Sequence, residues 1–268
     1  MSDLPDPATF LSGERGEVEG PGARLRARAG DLWLDARLLL GGGARKLDNV
    51  GAPREVLVMS IYRPESEVLS EQLPRLVGER VRMAFGSTGA ATIEHTVATD
   101  LGGGKFENLN VVRAAADVDD PDWIVVVDDD VELPRCFLDR FIAACELYGF
   151  DLAQPAQTLM SHAAWPVTRR RAGIARETGF VEIGPVTGFS RKVARELIPF
   201  PELRYGWGLD AHWAALARER GWRLGVVDAL PVRHEHARVA GAYSSQEAID
   251  EARRFLAGRP YVPNAGRQ

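Results

Sequence analysis

From Arg54 onward the chain alternates short apolar runs with longer stretches in which apolar residues recur every three or four positions. Runs at 55–62, 81–85, 91–98, 123–127 and 150–157, and a late one opening 223–236, read as strands; several are rich in β-branched residues. Residues 65–79, 102–117 and 135–149, with segments starting at Arg191 and Asp210, show helical spacing. This alternation predicts an α/β fold with a mostly parallel central sheet, flanking helices and right-handed crossovers. Before Arg54 the pattern is weaker. The first twenty residues mix Pro, Gly and acids without a period, and DLWLDARLLL at 31–40 is too short to assign to helix or strand.

The sharpest boundary follows Val127, where the run WIVVV meets Asp128, Asp129 and Asp130. An unbroken β-branched run is what a strand buried on both faces requires, so its end opens onto a crevice of the sheet. Side chains alternate along a strand, which places Asp128 and Asp130 on one side and Asp129 on the other. Two close carboxylates repel unless a cation lies between them, and hard oxygen ligands suit Mg²⁺ or Mn²⁺. A solvated acidic loop capping the next helix would also read DDD; the buried strand in front of it favours the cation site.

Later residues add to this. Asp210 falls at the start of a helix after Gly206 and Gly208, where the helix dipole favours its carboxylate and where Asp is also a common cap. His234 and His236 flank Glu235 on one side of an extended segment and offer a third metal ligand. His95 and His162 have no evident partner. Residues 161–178 contain Arg169, Arg170, Arg171 and Arg176, with Arg191 beyond the next strand. A solvated charge run is the favoured reading, and a basic lid over substrate phosphates is the other.

Composition narrows the field. The 268 residues, 45% of them hydrophobic, suffice for one large domain, and a net charge of −5 argues against a nucleic-acid partner. With neither a secretory apolar segment nor an apolar run long enough to span a bilayer, the expectation is a cytoplasmic protein without a transmembrane helix. Cys136 and Cys145 lie nine positions apart on nearly opposite faces of a helix, the spacing of ordinary buried thiols rather than of a disulfide or zinc site.

In order along the chain, these parts resemble the GT-A glycosyltransferases of family-2 type, across residues 55–236. The DDD at 128–130 resembles their DXD element, and GPVTGFSRKV at 184–193 their acceptor-side strand and helix. YGWGLD at 205–210 is similar to their WGxxD/E segment, and VRHEH at 232–236 stands where a late metal histidine does. The wording VEIGPVTGFSR with GWGLD is also similar to a little-characterised group of GT-A-like proteins of unknown function.

The resemblance implies a single GT-A (Rossmann-like) domain at 54–240, with a nucleotide-binding half at 54–134 and an acceptor half at 135–240. A partly irregular extension (1–53) precedes it, and a C-terminal helix and tail (241–268) follow. It implies a nucleotide-sugar donor, a hydroxyl-bearing acceptor and Mn²⁺ or Mg²⁺. Asp128 would contact the nucleotide ribose or the metal, Asp130 the metal, with Asp129 uncertain between them. His234, or His236, would complete the metal site. Ser60, Tyr62 and Glu65 would lie against the base, while Asp100 and Lys105 would touch the nucleotide. Tyr205, Trp207 and Gly208 would face the acceptor, and Asp210 would be the base of an inverting transfer. The family pattern often carries two adjacent acids where Leu209 precedes Asp210; shifted by one residue, Asp210 would bind the acceptor hydroxyl instead. Trp213 belongs to the same aromatic cluster, against a sugar or in the core. The alternatives are a sugar-nucleotide nucleotidyltransferase, which the glycine-free acidic loop SIYRPESE disfavours, and a non-catalytic nucleotide-sugar-binding module.

Overall fold

A computed structural model describes residues 4–12, 18–48, 54–234 and 244–264. The chain enters through α1 (Pro21–Leu40), a helix of 20 residues with Pro at its start. The segment 31–40 is therefore the second half of one long helix. There follow β1 (Val56–Tyr62), α2 (Val68–Leu76), β2 (Val81–Ser87), β3 (Thr96–Ala98), α3 (Lys105–Ala115), β4 (Trp123–Val127) and β5 (Val131–Glu132). Then come α4 (Phe137–Tyr148), β6 (Leu152–Gln157), β7 (Arg176–Thr178), β8 (Val186–Ser190), α5 (Arg191–Leu197), α6 (Leu209–Arg220), β9 (Leu224–His234) and α7 (Ser245–Leu256). Of the strand expected at 91–98, only Thr96–Ala98 pairs.

The strand order is β3-β2-β1-β4-β8-β6-β9-β5, with β7 added against β9. The sheet is mixed and not purely parallel. β1, β2, β3 and β4 run parallel, as do β6 and β9. β8 enters between β4 and β6 antiparallel to both, and β5 and β7 pair antiparallel with β9. An apolar run records burial on both faces, and a central antiparallel strand is buried there as fully as a parallel one. Direction is set by the connection instead: residues 158–185 return without a crossover helix, so β8 comes back reversed.

Each sheet face carries its own core. One joins Leu57, Met59, Phe106, Phe189, Phe200 and Trp213; the other joins Val58, Phe85, Val125, Phe137, Phe141 and Val227. Trp213 is 1% exposed and meets Phe189 and Phe106 edge-on at 5.4 and 6.2 Å, so it packs the core and stacks on no sugar. Cys145 is buried as expected, whereas Cys136 is exposed just before α4, where its left-handed φ of 52° ends the preceding turn.

The start of α3 is fixed by a close backbone approach. A Cβ on Gly104 would lie 1.9 Å from the Arg204 carbonyl oxygen, so only glycine lets α3 and the 204–206 loop meet. Gly104→Ala is expected to lower stability by about 2 kcal/mol through overpacking. Gly102→Ala, whose Cβ meets nothing within 4 Å, should be close to neutral in the same urea titration. Equal midpoints for the two variants would contradict this packing.

Candidate functional site

β4 carries its three acids to the carboxyl edge of the sheet, and each side chain meets a cation from a different element. The Asp128 N–H still donates to the Pro185 carbonyl at 2.9 Å, holding that residue in line with the sheet. Its Oδ1 lies 2.5 Å from Nζ of Lys105, the first residue of α3, which also donates to the Ile183 carbonyl at 3.1 Å. Gly184 makes room, since a Cβ there would come within 2.8 Å of Asp128 Oδ2. Asp129 turns the other way and accepts from the Arg63 N–H at 2.9 Å and from its guanidinium at 3.0 Å on both oxygens. Asp130 Oδ1 lies 2.8 Å from His234 Nε2, a meeting set by the pairing of Val131 with His234 between β5 and β9.

Asp128, Asp130 and His234 thus converge, with one ligand atom from each lying within 4.8 Å of the others. Two carboxylate oxygens and one imidazole nitrogen fit a divalent cation such as Mn²⁺ or Mg²⁺. Charge is distributed unevenly over the trio. Burial raises the Asp128 carboxyl above its ordinary range although Lys105 opposes it. At Asp130 burial acts in the same direction, but the hydrogen bond and charge of His234, with Arg63, outweigh it and hold the carboxyl low. Burial works against charge on His234 as well, and the Asp130 partnership raises it nonetheless. The ring of His162 lies edge-on to His234 at 6.3 Å. His236 falls outside the described residues.

The other expected positions divide. Ser60 is fully enclosed within β1, and the buried Tyr62 spends its hydroxyl on Thr96 Oγ1 at 2.8 Å and the Ala91 carbonyl at 3.0 Å. Glu65 and Asp100 are exposed. On the acceptor side, α7 holds the loop before α6: Glu251 accepts the backbone N–H groups of Arg204, Tyr205 and Gly206 at 2.8, 2.9 and 3.1 Å. The Tyr205 hydroxyl donates to Glu247 at 2.8 Å. Trp207 is half-buried against the core, and Gly208 is buried with φ of 88°. Asp210, the second residue of α6, is half-buried and accepts the N–H of Ala211 at 2.7 Å.

In the basic segment 161–178, Arg169, Arg170 and Arg176 are engaged within the protein, while Arg171 is exposed. Arg170 is 5% exposed and donates to Asp35 at 2.6 Å, Arg176 pairs with buried Asp228, and Arg169 donates to the carbonyls of Leu159 and Ser161. Its acid partners lie far away in sequence, so the charges looked unpaired. Arg191 likewise pairs with Asp120 and Asp122.

Two residues were missed. Arg63 gives no sequence signal. Glu182 does: it is a lone acid between Val181 and Ile183 in an apolar run. Its Oε1 accepts from the Trp165 N–H at 3.0 Å and from Thr168 Oγ1 at 2.8 Å, and its Oε2 accepts from Gln157 Nε2 at 2.9 Å. Ser161 Oγ receives the His234 N–H at 3.0 Å and shares its single proton between the His162 carbonyl at 2.9 Å and Gln157 Oε1 at 3.3 Å. A buried polar cluster therefore runs from Glu182 to the backbone of His234. Burial pushes the Glu182 carboxyl up to about 7, with the charge of Asp210 acting in the same direction against the hydrogen bonds.

No family model and no curated protein matches the sequence. Solved structures do match in fold. S. aureus TarS 1-349 in complex with UDP-GlcNAc aligns with a TM-score of 0.53 and 14% identity over 75% of this chain and 65% of that one. GalNAc-T7 with UDP, GalNAc and Mn²⁺ aligns with a TM-score of 0.55 and 12% identity, over 95% and 60%. The chain has a GT-A-like fold. The chain spans 65% and 60% of the two matched chains, so the likeness concerns the GT-A-like fold and not their whole activities. No helix among the described residues of this GT-A-like chain is long and apolar enough to cross a membrane.

Glu182 makes stability depend on pH in a definite sense. Its carboxyl rises from an ordinary 4.5 to about 7 on folding, so between those values the folded chain holds a proton that the unfolded chain has lost. Its contribution is therefore complete below pH 4.5 and declines as pH rises toward 7, by about 3 kcal/mol at full size. Glu182→Gln should flatten the pH dependence of the urea midpoint across that window; an unchanged slope would contradict the assignment.

Proposed function

We propose that the chain is a metal-dependent glycosyltransferase that moves a sugar from a nucleotide-sugar donor to an acceptor hydroxyl with inversion. The observation that carries this reading is the convergence of Asp128, Asp130 and His234 at the carboxyl end of β4, beside Lys105, in a GT-A-like fold. Those three side chains would hold Mn²⁺ or Mg²⁺. A divalent cation bound there would supply Lewis acidity toward the diphosphate leaving group.

The chain's own residues supply the rest. Lys105, whose ammonium already faces Asp128, is placed to share the charge of a diphosphate with that carboxylate. Arg63 is committed to Asp129, which keeps the middle acid out of the cluster and leaves its neighbours on one side. Asp210 in the first turn of α6 takes the proton of the acceptor hydroxyl. Glu182, which feels the Asp210 charge from within the protein, positions this acceptor side relative to His234 through Gln157 and Ser161. Tyr205 and Trp207, on the loop clamped by Glu251, flank the acceptor. A nucleotidyltransferase would need a free basic loop after β1 to grip a triphosphate, and the arginine of that loop is engaged with Asp129.

Calorimetric titration with UDP, GDP and CDP, with and without Mn²⁺, tests the donor half. One nucleotide should bind in a metal-dependent way, and Asp130→Ala or His234→Ala should weaken it on the order of tenfold to a hundredfold. Binding that ignores the metal would remove this reading. Asp210→Asn separates enzyme from binding module: transfer, followed as nucleotide release from a donor panel, should fall by at least about a hundredfold with donor affinity intact. Equal turnover by Asp210→Asn would assign the base elsewhere.

A further inference from the structure

α1 is apolar on two opposite sides, and only one of them is docked. On the inward side Leu34 is 8% exposed, and Gly30 lies so near Leu159 that a Cβ would come within 2.6 Å of its Cδ1. Asp31 accepts the backbone N–H groups of Leu159 and Met160 at 3.0 and 3.2 Å, and Asp35 receives Arg170 at 2.6 Å. The opposite side faces outward. Leu25, Leu32, Trp33, Leu39 and Leu40 are 70, 63, 57, 71 and 91% exposed. At about 100° per residue, spacings of seven, eight, fourteen and fifteen from Leu25 place all five on one stripe. Arg24 and Arg28 border that stripe on one flank and Arg26 and Arg37 on the other, all exposed. The Arg37 guanidinium lies 5.3 Å from the Trp33 ring.

We propose that the outward face of α1 binds an anionic membrane surface, lying parallel to the bilayer with its leucines and Trp33 at the acyl boundary. Charge decides the occupant. Asp31 is held inward by the Leu159 and Met160 N–H groups, and Asp35, more than half exposed on the Arg24 and Arg28 flank, is paired with Arg170, so the four arginines around the stripe have anionic headgroups as their complement. A second copy packed stripe to stripe would crowd eight guanidiniums around one seam, with both acids of α1 already engaged by the domain. Arginine stems can lie along the apolar stripe while their heads reach lipid phosphates, and Trp33 suits the wet edge of the bilayer. The helix rests on the surface and does not cross it, as its arginine content requires. This surface uses no residue of the metal cluster and stands independently of the transferase reading.

Flotation of the full chain with phosphatidylcholine vesicles, with and without phosphatidylglycerol, tests it. The chain should float with the anionic vesicles and be released by salt. Leu32→Glu with Trp33→Glu should reduce the bound fraction at least tenfold. Arg26→Gln with Arg28→Gln should reduce it on the order of tenfold. All four side chains point outward, so thermal melting should be unchanged and serves as the control for folding. Absence of wild-type flotation, equal binding to neutral vesicles, or undiminished binding by the Leu32/Trp33 variant would overturn the proposal. So would a concentration-dependent dimer in sedimentation that this variant abolishes.

Discussion

Three adjacent carboxylates at the end of a buried strand are an electrostatic problem, and much of the structure around them consists of its solution. Like charges this close, partly withdrawn from water, each need a counter-charge. The fold supplies them from three directions: Lys105 from α3 for Asp128, Arg63 from the loop after β1 for Asp129 and more distantly Asp130, and His234 from the end of β9 for Asp130. Pairing Asp129 with Arg63 has a directional consequence. It commits the middle acid to the β1 side and leaves Asp128 and Asp130 together with His234 on the other, which is the arrangement a divalent cation needs. Gly184, where any side chain would strike Asp128, keeps that side open.

The segment around Glu182 is tied to this centre through buried polar contacts rather than through charge. Glu182, Gln157 and Ser161 form a buried polar cluster that reaches the backbone of His234, in surroundings where each unmade hydrogen bond would be expensive. Such a cluster fixes relative position: moving Glu182 disturbs Gln157, and moving Ser161 disturbs the strand end that carries His234. α7 performs a similar task from outside, with the single carboxylate of Glu251 gathering three successive N–H groups of the 204–206 loop. Gly104 then lets that loop meet the start of α3, so Lys105 and Tyr205 are held on neighbouring pieces of backbone.

Much of this was legible in residue order. Strand and helix positions followed from periodicity, because burial on one or two faces leaves a direct trace in the pattern of apolar residues. The place of the acid cluster followed from the abrupt change at Val127; Asp128 and Asp130 come together in the turn after β4, where strand alternation no longer applies. Where two burial patterns overlap, the trace is lost. α1 is apolar both toward the domain and away from it, and the two stripes together conceal the helical period that either would show alone. Arg169, Arg170 and Arg176 looked like a free basic run because partners such as Asp31, Asp35 and Asp228 lie far away along the chain.

The sequence by itself determined most of the strands and helices after Arg54, which residue types could hold a cation, and that Asp128, Asp129 and Asp130 follow a buried strand. All of these depend on neighbours in the chain, and local sterics and hydrophobic spacing suffice to set them. Only the tertiary structure decided the reversed direction of β8, the division of the three aspartates between Lys105, Arg63 and His234, the burial of Ser60, Tyr62 and Trp213, and the role of Glu182. Each depends on which distant segment arrives beside it, and that is settled when the whole sheet closes and every buried charge and N–H finds its partner.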